Sequence, residues 1–185
     1  MADVGNGEFI GSGGDIGCCQ LMLWRVSGEE LYHNFSSQHN AAITSILDLN
    51  DNKHFISGSF DCNLNIYNIP KKQLIKSTST SHKITFLSKC PSLNSTNKNK
   101  SKIDQILSGN LNSQICVWKI NKNTFNNITG IVLLRCINIG TYPYSVVGWG
   151  ESGDEVLVVG KDDWVRVIDY GKGIVEKGTK LGQFT

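Results

Sequence analysis

The feature that most constrains the fold is a recurring unit of two short strands joined by a tight turn. Its clearest copy runs from Ser57 to Asn68, with a strand end, a turn closed by Asp61, and a second strand. In that second strand Leu64 and Ile66 alternate with polar residues, which is the two-residue period of a β-strand. Weaker copies of the unit lie at 11–26, 108–120 and 158–170. The chain is therefore predicted to be built from a repeated β unit.

The spacing of the repeat is defined by one aromatic position in the second strand of the unit. Trp24, Tyr67 and Trp118 occupy it, with Ile168 as a substitute, at separations of 43, 51 and 50 residues. A polar low-complexity insert at 92–102 lengthens the third repeat. This insert is predicted to be a flexible surface loop, because it cannot bury enough apolar surface to order itself.

Each repeat is predicted to form about four short strands, and no window has the apolar spacing of a long helix. The predicted strands are 42–49, 53–57, 63–69 and 73–78 in the second repeat, 84–89, 104–108, 114–120 and 132–139 in the third, and 144–149, 155–159, 164–169 and 174–177 in the fourth. The first repeat begins at Phe9-Ile10 and is expected to lack its first strand, since little of the sequence precedes it.

Composition and charge exclude some functions. The formal net charge of the 185 residues is +2, so no strong field for nucleic acid or a membrane surface is expected. No apolar run approaches the roughly 20 residues of a membrane span, and Met1–Glu8 lacks the features of a signal peptide. The six cysteines are interpreted as reduced thiols, which suits a cytoplasmic or nuclear protein.

Several further positions recur in step with the strands. A histidine precedes the repeat, a hydroxyl lies on the second strand, a carboxylate or amide lies in the turn, and an aromatic residue lies on the third strand. These residues are His39 and His82, Ser57 and Ser108, Asp61 and Asn112, and Tyr67 and Trp118. In this combination the chain resembles the WD-repeat family over nearly its whole length.

The resemblance implies an all-β fold, a β-propeller of four-stranded antiparallel blades. One propeller would span 1–185, with blades at about 9–37, 38–80, 81–139 and 140–180 and with the first blade incomplete. WD-repeat rings usually have seven blades. The chain would then be an arc of a larger ring, completed by a partner or a missing segment, or else a small closed ring. In the closed ring, Leu181–Phe184 would supply the missing inner strand.

A structural relay gives the recurring polar residues a physical reason. A buried histidine needs a partner for each ring nitrogen, because an unpaired buried polar group costs about 1–3 kcal/mol. A turn carboxylate and a strand hydroxyl can serve, and the hydroxyl can reach the aromatic residue. The predicted relay residues are His39, Ser57, Asp61 and Tyr67 in the second repeat and His82, Ser108 and Trp118 in the third. Asn112 is expected to weaken the third repeat's relay, so the second blade should be the most rigid.

The resemblance also places one turn of each blade on a rim of the ring, near the central channel, where partners often dock. Phe60 and Leu111 hold this position in the second and third repeats, and Lys161 holds it in the fourth. An apolar rim is a signal for a binding site, although single exposed apolar residues are common. Phe60, Leu111, Lys161 and Trp164 are therefore the candidate partner-binding residues.

The sequence favours a non-enzymatic scaffold that displays rim loops to protein or peptide partners. No two histidines have ligand spacing and no C-x-x-C occurs, so neither a metal site nor a catalytic group is assigned. No cofactor is expected. Two alternatives stay open: a nuclear reader of histone or chromatin-associated peptides, and a propeller-fold hydrolase. Direct contact with nucleic acid or membrane is not expected.

Overall fold

The structure is a computed structural model that describes residues 1–5, 7–13, 19–25, 30–35, 38–90, 103–125, 127–149 and 154–180. Strands are the only regular elements in these ranges, and the described part of the chain holds no helix that could cross a membrane. The predicted insert at 92–102 and the candidate closing strand Leu181–Phe184 lie outside the described residues.

The strands form four antiparallel sheets, which we label A to D in chain order. Sheet A contains β1 (Ala2–Gly5), β2 (Glu8–Gly13), β3 (Gln20–Arg25) and β4 (Glu30–Phe35). Sheet B contains β5 (Ile43–Asp48), β6 (His54–Ser59), β7 (Asn63–Asn68) and β8 (Gln73–Ser79). Sheet C contains β9 (Ile84–Lys89), β10 (Gln105–Asn110), β11 (Gln114–Lys122) and β12 (Ile128–Asn138). Sheet D contains β13 (Pro143–Trp149), β14 (Glu155–Gly160), β15 (Trp164–Asp169) and β16 (Ile174–Lys180).

Each sheet is a meander in which every strand pairs with the next one along the chain. The twelve strands of sheets B, C and D overlap the twelve predicted strands, so the all-β prediction is confirmed. The expectation that the first repeat lacks a strand was wrong, because β1 pairs with β2 through Asp3 and Phe9. Strand β1 escaped prediction because few residues precede Phe9 and the four of β1 are too short a run to show a period.

Three apolar cores lie between successive sheets, and the middle strands therefore bury both of their faces. In β7, Tyr67 belongs to the core between sheets A and B, whereas Leu64 and Ile66 belong to the core between B and C. The third core lies between sheets C and D and includes Leu107 and Val158. Among the described residues, none of the three cores joins sheet A to sheet D. The sheets are therefore stacked sideways in chain order as an arc.

A disulfide joins Cys116 of β11 to Cys136 of β12. The two residues are directly opposite each other in the strand pairing, with their Cα atoms 4.0 Å apart. The interpretation of all six cysteines as reduced thiols was therefore wrong for this pair. It treated the cysteines as isolated, because the strand register that places Cys116 opposite Cys136 was not known from the sequence. Cys19, Cys62 and Cys90 are free thiols. The pair also removes the cysteine argument for a cytoplasmic or nuclear location.

Candidate functional site

Three turns lie at the same end of sheets B, C and D and have the same backbone structure. The amide of Phe60 donates to the carbonyl of Ala42 at 3.0 Å, and that of Leu111 donates to Lys83 at 3.1 Å. In sheet D the amide of Lys161 donates in the same way. Two residues further on, each turn has a left-handed residue with φ near 60°: Cys62, Ser113 and Asp163. The three turns are thus equivalent, and we call this end of the sheets the turn rim.

The turn rim of sheets B and C carries apolar and cationic side chains. The ammonium of Lys83 lies 5.9 Å from the centroid of the half-buried Phe60 ring, within the range of a cation–π contact. The backbone carbonyl of Lys83 accepts from Leu111, whose side chain is 43 % exposed. Lys83 therefore contacts the Phe60 ring through its side chain and the turn of Leu111 through its backbone. The sequence analysis missed Lys83, because only the fold places it between the two turns.

In sheet D the turn rim continues as a basic and aromatic surface. The amide of Lys161 donates to the carbonyl of Tyr142 at 2.9 Å, and the rings of Tyr142 and Tyr144 meet edge to face with centroids 5.4 Å apart. Trp164 packs instead over Gly178 of the outer strand β16, where a β-carbon would lie 3.1 Å from its ring. Of the four candidate residues, Phe60, Leu111 and Lys161 hold equivalent turns, whereas Trp164 lies toward the outer strand.

His39 links the loop before sheet B to two strands of that sheet. Its Nδ1 lies 2.9 Å from Asp61 Oδ2, and its Nε2 lies 2.7 Å from Ser57 Oγ. The same Asp61 oxygen accepts from the amide of Asn40 at 2.9 Å, and the other carboxylate oxygen accepts from the amide of Asn63. The His39 side chain is fully buried. The histidine and the turn that carries Phe60 are therefore held rigidly together.

The environment of this relay shifts two pKa values in opposite directions. Burial raises the pKa of Asp61, but hydrogen bonds from Asn40, His39 and Asn63 outweigh it, and the pKa lies below its ordinary value. Burial is the largest effect on Tyr67 and raises the pKa of its hydroxyl, which accepts a bond from the Asn65 amide at 3.3 Å. The carboxylate therefore stays charged and the phenol stays neutral at neutral pH.

The corresponding residues of sheet C form two separate pairs. The indole of Trp118 donates to Ser108 Oγ at 2.8 Å, and both residues are buried. The amide nitrogen of Asn112 lies 3.2 Å from Nε2 of His82, which is half-buried. Beside these pairs is an open cavity of about 200 Å³ that is lined by His82, Ser108, Trp118, Leu133 and the disulfide. His82 thus leaves unfilled the space that its counterpart fills in sheet B.

The opposite end of sheet B holds a histidine that the sequence analysis did not assign to any network. His54 Nδ1 lies 2.6 Å from Asp51 Oδ2, and its Nε2 lies 3.0 Å from the Asn68 amide. Burial raises the pKa of Asp51, but the bonds from His54 and the Lys53 amide outweigh it and lower the pKa. Both ring nitrogens of His54 are engaged, so its surroundings suit a structural role more than that of a general base. The Asp51-x-x-His54 spacing in a turn was the signal that could have found it.

Comparison with known proteins supports the fold alone. No protein-family model matches this sequence, and no curated protein is significantly similar to it. Among solved structures, the chain is similar to the crystal structure of the Cps50 (Swd1) β-propeller domain of Myceliophteria thermophila, with a TM-score of 0.71 at 10 % identity. The match covers 94 % of this chain and 52 % of the other. The β-propeller fold is confirmed, and the chain spans about half the length of the propeller that it matches.

Proposed function

We propose that this protein is a non-enzymatic interaction scaffold, whose turn rim binds a segment of a protein partner. The observation that carries the proposal is the surface made by Phe60, Lys83 and Leu111. A half-exposed leucine and an aromatic ring under an ammonium group offer both an apolar seat and a positive charge. The partner segment should therefore present an apolar side chain close to Asp or Glu.

The framework beneath the rim favours binding, because it is already ordered before a partner docks. The turn of Phe60 is held by its bond to Ala42 and by Asp61, which accepts from two backbone amides and from His39. A rigid surface loses little conformational entropy when a partner docks, so more of the contact energy appears as affinity. The engaged nitrogens of His39 and His54 also favour a binding role over acid–base chemistry.

Selection from a random peptide library on the immobilised chain tests the proposal. Enriched peptides should combine an apolar residue with Asp or Glu, and each of Phe60→Ala and Leu111→Ala should weaken their binding about tenfold or more, as for residues at the centre of an interface. Lys83→Ala should weaken binding less and should reduce its dependence on salt. Phe125→Ala is the matched control, because Phe125 is 83 % exposed in the turn between β11 and β12, at the other end of sheet C.

Two outcomes would contradict the proposal. If Phe125→Ala weakens binding of the selected peptides as much as Phe60→Ala does, the turn rim is not the specific binding surface. If all of the enriched peptides are basic or lack apolar residues, the proposed chemistry of the partner is wrong. Thermal unfolding of each variant separates loss of binding from loss of fold.

A further inference from the structure

One interface recurs three times along the arc. In each case, three apolar residues from the two middle strands of one sheet are covered by the next sheet. These three residues have equivalent register, since the first pairs directly with the third in every sheet. The trios, all buried, are Ile10, Leu21 and Leu23 in sheet A, Ile56, Leu64 and Ile66 in sheet B, and Leu107, Ile115 and Val117 in sheet C. We call the face that carries such a trio the forward face.

The forward face of sheet D has the same apolar trio but no sheet covering it in the described structure. Leu157 pairs with Val167 in the register of the other trios, and Val165 completes the set. All three are only half-buried, whereas their nine counterparts are buried. Val147, which pairs with Leu157, is 61 % exposed, and Trp149 on the same strand face is 52 % exposed. An exposed apolar face of this size indicates an interaction surface.

The opposite end of the arc has an open receiving face. In sheets B, C and D, the pairs Phe55 and Tyr67, Ile106 and Trp118, and Val156 and Ile168 lie under the previous sheet and are buried. The register-equivalent pair in sheet A is Phe9 and Trp24. Phe9 is half-buried and Trp24 is 39 % exposed. Sheet A therefore carries the second half of the recurring interface, and no sheet of the described residues lies against it.

We propose that two copies of this chain associate head to tail, with the forward face of sheet D of each copy against the receiving face of sheet A of the other, and close a ring of eight sheets. The two open faces are register copies of the two sides of an interface that the chain already forms three times. One arc superposes on 52 % of a β-propeller chain, so two arcs amount to about one ring. Eight sheets lie within the range of four to eight blades typical of propellers.

Mass measurement in solution tests the ring. Light scattering after size-exclusion chromatography should give twice the monomer mass of 20.4 kDa, without larger species as concentration rises. Val147→Glu on the forward face of sheet D and Trp24→Lys on the receiving face of sheet A should each halve the mass. An equal mixture of these two variants should recover the dimer, because each mixed ring has one unmodified contact and one with a Glu–Lys pair. Phe125→Glu, at an exposed site off both faces, should stay dimeric.

The mixing step keeps the test decisive, since a variant that cannot fold cannot recover the dimer. Circular dichroism of each variant by itself checks that it is folded. If Trp24→Lys folds but leaves the mass at that of the dimer, both by itself and in the mixture, the association does not use sheet A. A wild-type chain that stays monomeric at every concentration overturns the proposal and assigns the open faces to another protein or a longer chain. Masses that grow beyond the dimer overturn ring closure, because a head-to-tail contact that does not close forms open filaments.

Discussion

Sheets B and C place a histidine, a serine, a turn residue and an aromatic residue at equivalent positions, but they bond them differently. In sheet B, His39 is buried and touches both Ser57 and Asp61. In sheet C, His82 is half-buried and meets Asn112, while Ser108 bonds to Trp118. Sheet B thus has one connected network, and sheet C has two separate bonds.

The turn residue is one source of the difference. Asp61 can only accept hydrogen bonds while it is charged, and it accepts from the His39 ring and from two backbone amides. In sheet C the amide of Gln114, the counterpart of Asn63, bonds instead to Asn110, and the side chain of Asn112 meets His82. A neutral amide binds more weakly than a carboxylate, and His82 is not drawn into the sheet. The change from Asp61 to Asn112 thus accompanies the change from a buried network to an open cavity, together with the change from Ser59 to Asn110.

Breaking the network of sheet B should have the largest effect. His39→Ala leaves Ser57 and Asp61 without their ring partner and opens a cavity, so we expect a loss of about 3 kcal/mol in stability. His82→Ala is the matched variant and should cost about 1 kcal/mol or less, because His82 is half-buried and makes one bond. Urea unfolding measures both, and hydrogen exchange assigns the loss to a sheet. Equal losses for the two variants would contradict the comparison.

The second difference between the sheets is covalent. Cys116 of sheet C holds the position of Asn65 in sheet B, and its disulfide to Cys136 closes a sequence separation of 20 residues. We expect Cys136→Ser to lower stability by about 2 kcal/mol without reductant. Dithiothreitol should bring the wild type to the level of the variant. The control is Cys62→Ser, at a free half-buried thiol, and a loss that persists unchanged in reductant would argue against the crosslink as its cause.

Placing a carboxylate in the turn of sheet C should join its two separate bonds into a network like that of sheet B. With Asn112→Asp, His82 gains a charged acceptor, and we expect a gain of about 1 kcal/mol. The reciprocal Asp61→Asn should destabilise sheet B by a similar or larger amount. Hydrogen exchange should show slower exchange around residues 80–84 in Asn112→Asp. Unchanged exchange there would show that the turn residue does not control the position of His82.

The smallest effect is on the pH dependence of stability. Asp61 has a pKa below its ordinary value of 3.8 in the folded chain, so its contribution is present above that value and is lost as pH falls through the lowered pKa. Unfolding of the wild type and of Asp61→Asn, compared from about pH 6 to about pH 3, should show a stability gap that narrows in acid. A gap that stays constant over this range would mean that Asp61 has the same pKa folded and unfolded.

Local chemistry allowed much of the fold to be predicted from sequence. The alternation in segments such as 63–68 defines strands, and turns that contain Asp61 or Asp162 define their ends, because both depend on neighbours within a few residues. The candidate residues Phe60, Leu111 and Lys161 were found in this way, since repetition gave them equivalent places. Strand β1 was missed, because four residues are too few to show a period.

The amino-acid sequence by itself thus determined that this chain is a series of four β units, and it identified the equivalent turns of the last three. Only the tertiary structure decided that Cys116 meets Cys136, that Lys83 lies over Phe60, that His82 lies apart from Ser108, and that the trio of sheet D is open. The first three depend on strand register or on packing between sheets, which brings together residues that are 20 or more positions apart, and the fourth depends on which sheet has a neighbour among the described residues. Residue types and local spacing specify each sheet, but contacts over that separation specify what each sheet presents to its neighbours.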